Sequence, residues 1–136
     1  MSNSREPRKI RPAMKRASVT ASTNTEVETK ARYLIENVLK PKYIQPPPEG
    51  CQFNYIIDIT AKWIGSTCYF ISTYACPGPN AIAPTFEQKF ARMVSVGDAK
   101  YNLYYMRHTG KWVQTYTGIS VDECLKAIQD DPWFQP

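Results

Sequence analysis

Chemistry in this chain would have to begin at its single histidine. His108 lies in Arg107-His108-Thr109-Gly110-Lys111-Trp112, where two cations and an imidazole flank a Thr-Gly turn signal. Arg107, His108 and Lys111 could form an anion site at that turn. Equally, they could be solvated turn residues, with Arg107 stacked on Trp112 in a cation–π contact of ~0.5–1 kcal/mol. One histidine excludes a multi-histidine metal centre. The four cysteines (Cys51, Cys68, Cys76 and Cys124) form no CxxC and no metal spacing, and read as small buried hydrophobes with reduced thiols. No GxSxG, HExxH, phosphate-cradling glycine loop or paired-acid signature is present. A second polar group, Asp58 and Lys62 on one strand face with Tyr69 opposite Lys62, makes either a polar pocket or a solvated sheet face. An enzyme would have to draw on Asp58, Lys62, Arg107 and His108 without metal, cofactor or nucleotide, and only the fold could unite residues from two hairpins. The residues point instead to a non-enzymatic binding protein.

Charge suggests what is bound. The chain of 136 residues carries a net charge of +5, and all of it traces to one end. Arg5, Arg8, Lys9, Arg11, Lys15 and Arg16 are opposed there only by Glu6, while the remainder is balanced. Residues 1–22 are polar, broken by Pro7 and Pro12, and hold too little apolar surface to offset the entropy of ordering. They are expected to be a disordered basic arm, either a nucleic-acid-binding tail or a solubilising leader. Nine tyrosines and three tryptophans invite a stacking platform for single strands, with Tyr69 and Tyr104 the aromatics best placed for an exposed surface. The alternative is a protein–protein module, a homodimer or a subunit of a larger assembly, using exposed aromatics and a sheet edge. No secretory leader and no apolar run approaching ~18 residues occurs, so the expected setting is cytoplasmic and away from the membrane.

The elements that must position these residues are readable. Residues 23–136 form one α+β domain. A helix starts near Thr23–Thr25, where Thr23 and Glu26 have capping-box spacing, and buries Val27, Ala31, Leu34, Ile35 and Val38 before ending at Lys40, ahead of Pro41. Three prolines from Pro46 make a stiff connector. From Phe53 to Trp63 apolar and polar residues alternate, Gly65-Ser66 suits a type II′ turn, and a second strand begins at Thr67. That hairpin pairs Trp63 with Cys68, Ala61 with Phe70, Ile59 with Ser72 and Ile57 with Tyr74. On its other face Lys62 meets Tyr69, Thr60 meets Ile71 and Asp58 meets Thr73. Ile57, Ile59, Trp63, Phe70 and Tyr74 should therefore be core. A third strand runs from Thr85 to Val96, a fourth from Tyr101 to Arg107 and, after Thr109-Gly110, a fifth from Trp112 to Tyr116. In that register Arg107 faces Trp112, Tyr105 faces Gln114 and Leu103 faces Tyr116. Ser120 and Glu123 form a capping box for a last helix with buried Val121, Cys124, Leu125 and Ile128, and Trp133 and Phe134 fold back onto the core. The result is a five-stranded antiparallel sheet flanked by an N-terminal and a C-terminal helix.

The segments Phe86-Glu-Gln-Lys-Phe-Ala-Arg-Met, Tyr101-Asn-Leu-Tyr-Tyr-Met-Arg-His-Thr-Gly-Lys-Trp and Ile128-Gln-Asp-Asp-Pro-Trp-Phe carry a resemblance. Over about residues 52–134 the chain resembles a group of small uncharacterised bacterial α+β domains, in which a Leu-Tyr…Lys-Trp hairpin is followed by a helix and an aspartate–aromatic end. The resemblance implies the fold and no activity, and the basic arm lies outside it.

Overall fold

The structure, a computed structural model, describes residues 21–136, with side chains from residue 24 onward. The basic residues Arg5, Arg8, Lys9, Arg11, Lys15 and Arg16 lie outside the described residues. Five strands, β1 (Tyr55–Ile64), β2 (Thr67–Ala75), β3 (Thr85–Gly97), β4 (Lys100–Met106) and β5 (Trp112–Ile119), form one antiparallel sheet in the order of the chain. Helix α1 (Ala21–Leu34) and helix α3 (Val121–Asp130) cover one face of it. The α+β class, the five strands and the two flanking helices are as expected.

Alternation drives the core. Ile59, Cys68, Phe70, Met93, Tyr101 and Leu103 project from the sheet against Val27, Ala31 and Leu34 of α1 and Cys124, Leu125 and Ile128 of α3, all of them buried. Each such large side chain contributes ~1.5–3 kcal/mol on burial. Ser72 and Ser95 are the buried polar residues of the sheet, and the Ser72 hydroxyl donates to the Gln88 carbonyl at 3.2 Å.

The first hairpin keeps the expected register from Trp63–Cys68 to Asp58–Thr73, and of its two loop residues Gly65 alone has positive φ (+62°), the pattern of a type II′ turn. Beyond Asp58 a bulge intervenes, and Tyr74 pairs with Ile56 rather than Ile57. Ile57 is consequently the extra residue and is 41% exposed. Trp63 and Tyr74 are half-buried, so the expected core is right at Ile59 and Phe70 and wrong at Ile57.

The first helix departs from expectation at both ends. It is already under way at Ala21, so Asn24 and Thr25 lie inside it rather than at a cap. At its far end it passes through Pro41. A π turn (Ile35–Leu39), in which the Lys40 N–H reaches back to the Ile35 carbonyl, leads into a single α turn, α2 (Lys40–Tyr43). Pro41 sits in the first turn of α2, where its missing N–H costs little, and the widened turn relieves the clash a proline makes with the preceding turn. The added residue also shifts the buried stripe, so Leu39 is buried and Val38 only half-buried.

Two further register changes matter for the open face. Phe70 pairs with Ala91 and Ile71 with Lys89, leaving Phe90 as the extra residue of a second bulge. Phe90 turns into the core, edge-on to Phe70 at 6.2 Å, while Lys89 and Arg92 emerge on the opposite face. The β4–β5 loop has three residues rather than two. Gly110 has φ +85°, its N–H donates to the Arg107 carbonyl at 2.8 Å, and the Arg107 N–H donates to the Lys111 carbonyl at 2.9 Å. Met106 therefore faces Trp112, and Tyr104 rather than Tyr105 faces Gln114; Leu103–Tyr116 stands as expected. The β3–β4 connection turns on Asp98 and Ala99, both at φ +54°.

Both capping-box bonds of α3 are present. The Ser120 hydroxyl accepts from the Glu123 N–H at 3.2 Å, and the Glu123 carboxylate accepts from the Ser120 N–H at 3.0 Å. The Ser120 contact holds the Glu123 carboxyl below its ordinary pKa. After α3 a 3-10 turn (Pro132–Phe134) buries Phe134 edge-on to Tyr105, whereas Trp133 stacks on Tyr105 at 5.1 Å yet stays 60% exposed.

Candidate functional site

The sheet face turned away from the helices carries a straight row of side chains. Lys62 pairs with Tyr69, Tyr69 with Arg92, Arg92 with Tyr104, and Tyr104 with Gln114, so one residue from every strand falls in line. The guanidinium of Arg92 stacks 4.4 Å from the Tyr104 ring centroid and 4.7 Å from that of Trp112. Trp112 sits 6.1 Å from Tyr69, and the Lys89 ammonium lies 4.9 Å over Tyr69. Three aromatic rings and two cations thus form one continuous patch. The Arg92 Nε is enclosed with no acceptor, and among the described residues no carboxylate pairs with Arg92. A cation held flat between rings, without a counter-ion, is arranged to meet an anion from outside.

Beside the middle of the row, past Lys89, the sheet opens into a cleft. The β3–β4 ladder stops at Ala91–Tyr105, although β3 continues back to Thr85 along β2. The gap has a volume of about 450 Å³, with Ile71 and Met106 on its apolar side and Glu87, Lys89, Arg107 and His108 on its polar side.

The structure distributes the sequence-predicted residues unevenly. Arg107 and His108 share this cleft, whereas Lys111 is exposed and does not line it. Arg107 does not stack on Trp112; the three-residue loop shifts it past that position, and Arg92 takes the place. Lys62 and Tyr69 lie together on the row, but Asp58 leaves them. Its carboxylate accepts from the Ile59 N–H at 2.9 Å and pairs with Lys40 at 3.2 Å, while Lys40 also holds Glu36 at 2.7 Å. The bond to Glu36, with Asp58 adding to it, holds the Lys40 ammonium above its ordinary pKa. Asp58 thus lines a separate cleft of about 240 Å³ with α1-side residues including Arg32 and Glu36. The four residues an enzyme would have required accordingly do not come together: Asp58 lines one cleft, Arg107 and His108 line the other, and Lys62 lines neither. Arg92, Lys89 and Trp112 were missed by sequence reasoning. The available signal was a lone arginine two residues beyond Phe90, amid apolar neighbours of the same parity.

The two buried thiols are chemically quiet. Burial pushes Cys68 and Cys124 each up to about 12, and all four cysteines are free. Among the described residues no cluster of His, Cys, Asp or Glu could hold a metal ion, and no helix is long and apolar enough to cross a membrane.

Neither a curated protein nor a solved structure matches the chain. A family match does exist, and it takes in the whole sheet and all the helices just described while leaving the six basic residues of the arm outside it. The chain belongs to the family described as Domain of unknown function (DUF3024), which matches residues 19–136.

Proposed function

We propose that the protein is a non-enzymatic nucleic-acid-binding protein that holds single strands through its basic arm and the open sheet face. The observation that carries this reading is the patch around the five-strand row, in which Tyr69, Tyr104 and Trp112 offer ring surface and Arg92 and Lys89 offer positive charge with no carboxylate partner among the described residues. Base–aromatic stacking is worth ~1–3 kcal/mol per base and tolerates any sequence. The arm adds phosphate contacts. Six basic residues neutralise up to about six phosphates, so the log–log salt slope should reach ~5 in magnitude on duplex and somewhat less on single strands. A cytoplasmic setting accompanies the reading, supported by four free cysteines. Fluorescence anisotropy of the full chain with labelled oligothymidylate, titrated across salt, tests it. Deleting residues 2–22 should flatten the salt slope, and Arg92→Ala should weaken what binding remains. Binding that is absent, indifferent to salt, or unaffected by both changes would end the proposal.

A specific observation favours a second reading, self-association. Between α1 and α3 lies a groove of about 550 Å³ lined by Tyr33, Leu34, Val38 and Leu125, with Tyr33 69% exposed. Light scattering at micromolar concentration decides this one: a strict monomer removes it, and a dimer lost in Tyr33→Glu supports it.

A further inference from the structure

The cleft beside the row is bounded by a strand with one side unused. Backbone groups along an antiparallel strand face alternate neighbours. The Pro84 carbonyl accepts from the Cys76 N–H of the β2 side at 2.8 Å, and the unbroken register from Ala75–Thr85 to Ile71–Lys89 carries that alternation along the strand, with the Ser72 hydroxyl also reaching the Gln88 carbonyl at 3.2 Å. Even-numbered residues of this stretch therefore face β2. Thr85, Glu87 and Lys89 direct their N–H and C=O groups the other way. The β4 ladder ends at Ala91–Tyr105 and reaches none of them, and among the described residues no turn or loop backbone bonds to them. All three residues are exposed.

An added strand would lie ~4.8 Å from β3, in line with β4 and inside the 450 Å³ gap. The chemistry of the rim selects what enters. Arg107 and His108 line the gap together with Lys89 of β3, against Glu87 alone. Ile71 and Met106 supply an apolar floor for alternate side chains. Three main-chain donors and three acceptors in a row match a peptide backbone, and a phosphodiester chain offers no donors in return.

We infer that the β3 edge at Thr85–Lys89 binds an extended acidic peptide by strand addition, with Arg107 and His108 reading its carboxylates. This site shares only Lys89 with the Arg92 patch, and Arg107 and His108 lie outside that patch, so its failure and that of the nucleic-acid reading are distinguishable.

The test uses the full chain and a fluorescein-labelled peptide Glu-Thr-Glu-Val-Glu-Thr-Glu, with anisotropy for affinity and NMR hydrogen exchange for geometry. Saturable binding should slow exchange of the Thr85, Glu87 and Lys89 amides about tenfold or more, an effect confined to that edge. Arg107→Glu combined with His108→Ala, both exposed changes, should weaken binding about tenfold or more, and the lysine counterpart of the peptide should bind at least that much more weakly. Absence of peptide binding, unchanged exchange at those amides, or equal affinity for the lysine peptide would overturn the inference. So would protection of the same three amides by oligothymidylate in place of the peptide.

Discussion

The guanidinium carbon of Arg92 lies 4.4 Å from the centre of the Tyr104 ring, its direct partner across the β3–β4 ladder. A second ring, Trp112, lies 4.7 Å away on the next strand. Each contact is worth ~0.5–1 kcal/mol at a partly exposed site, so Arg92→Ala should cost ~1–2 kcal/mol in urea melts. Lys62→Ala, an exposed change on the same row, should stay within ~0.5 kcal/mol. Equal penalties would show that the stacked geometry contributes nothing to stability.

The core ranks its aromatics. Phe70 is fully buried and Trp63 only half-buried, with its indole N–H enclosed and unpartnered. Phe70→Ala should cost ~3–5 kcal/mol, and Trp63→Ala clearly less. Trp63→Phe gives up no hydrogen bond and should cost under ~1.5 kcal/mol. A Trp63→Ala penalty exceeding that of Phe70→Ala would contradict the packing.

The thiols make stability fall in alkali. Cys68 and Cys124 ionise near 9.0 when unfolded and at about 12 when buried. Because the folded values are raised, their contribution is intact below pH about 9 and is lost progressively as pH rises towards 12. Melting temperature should drop across that window, and Cys124→Ala should make the drop shallower even though it lowers the starting stability. Against a thiol reagent at neutral pH, the half-buried Cys51 and Cys76 should react in the native protein and the other two only after unfolding.

One turn can be improved. Asp98 and Ala99 both hold φ +54°, the mirror-image turn for which Asp-Gly is preferred. A left-handed alanine costs ~1–2 kcal/mol, partly offset by the extra freedom glycine gives the unfolded chain, so Ala99→Gly should stabilise by ~0.5–1 kcal/mol. A lower melting temperature for that variant would refute the turn geometry.

Elements and their order were legible because strand alternation, the Gly65-Ser66 turn and the Ser120–Glu123 box each carry a local signal. What escaped was local geometry that composition does not encode. The bulges at Ile57 and Phe90 each add one residue, and one residue is enough to exchange the two faces of a strand. Gly110 marks a turn in either case, yet only its backbone angle selects three loop residues over two, which moved Trp112 from Arg107 to Arg92. Pro41 was read as a stop, since nothing in the preceding residues announces a π turn. The half of the candidate site that depends on Lys62 and Tyr69 was visible, and the half that depends on Arg92 and Lys89 waited on a bulge.

Because each strand pairs with the one made just before it, the sheet can zip up from its first hairpin with only short loops to close. Sequence-distant contacts slow folding, and here they are concentrated in a single step, the meeting of the two ends. Lys30 on α1 reaches Asp122 on α3 at 2.9 Å across 92 positions of chain. During synthesis the first helix must therefore wait, its apolar stripe uncovered on one side, until α3 has left the ribosome.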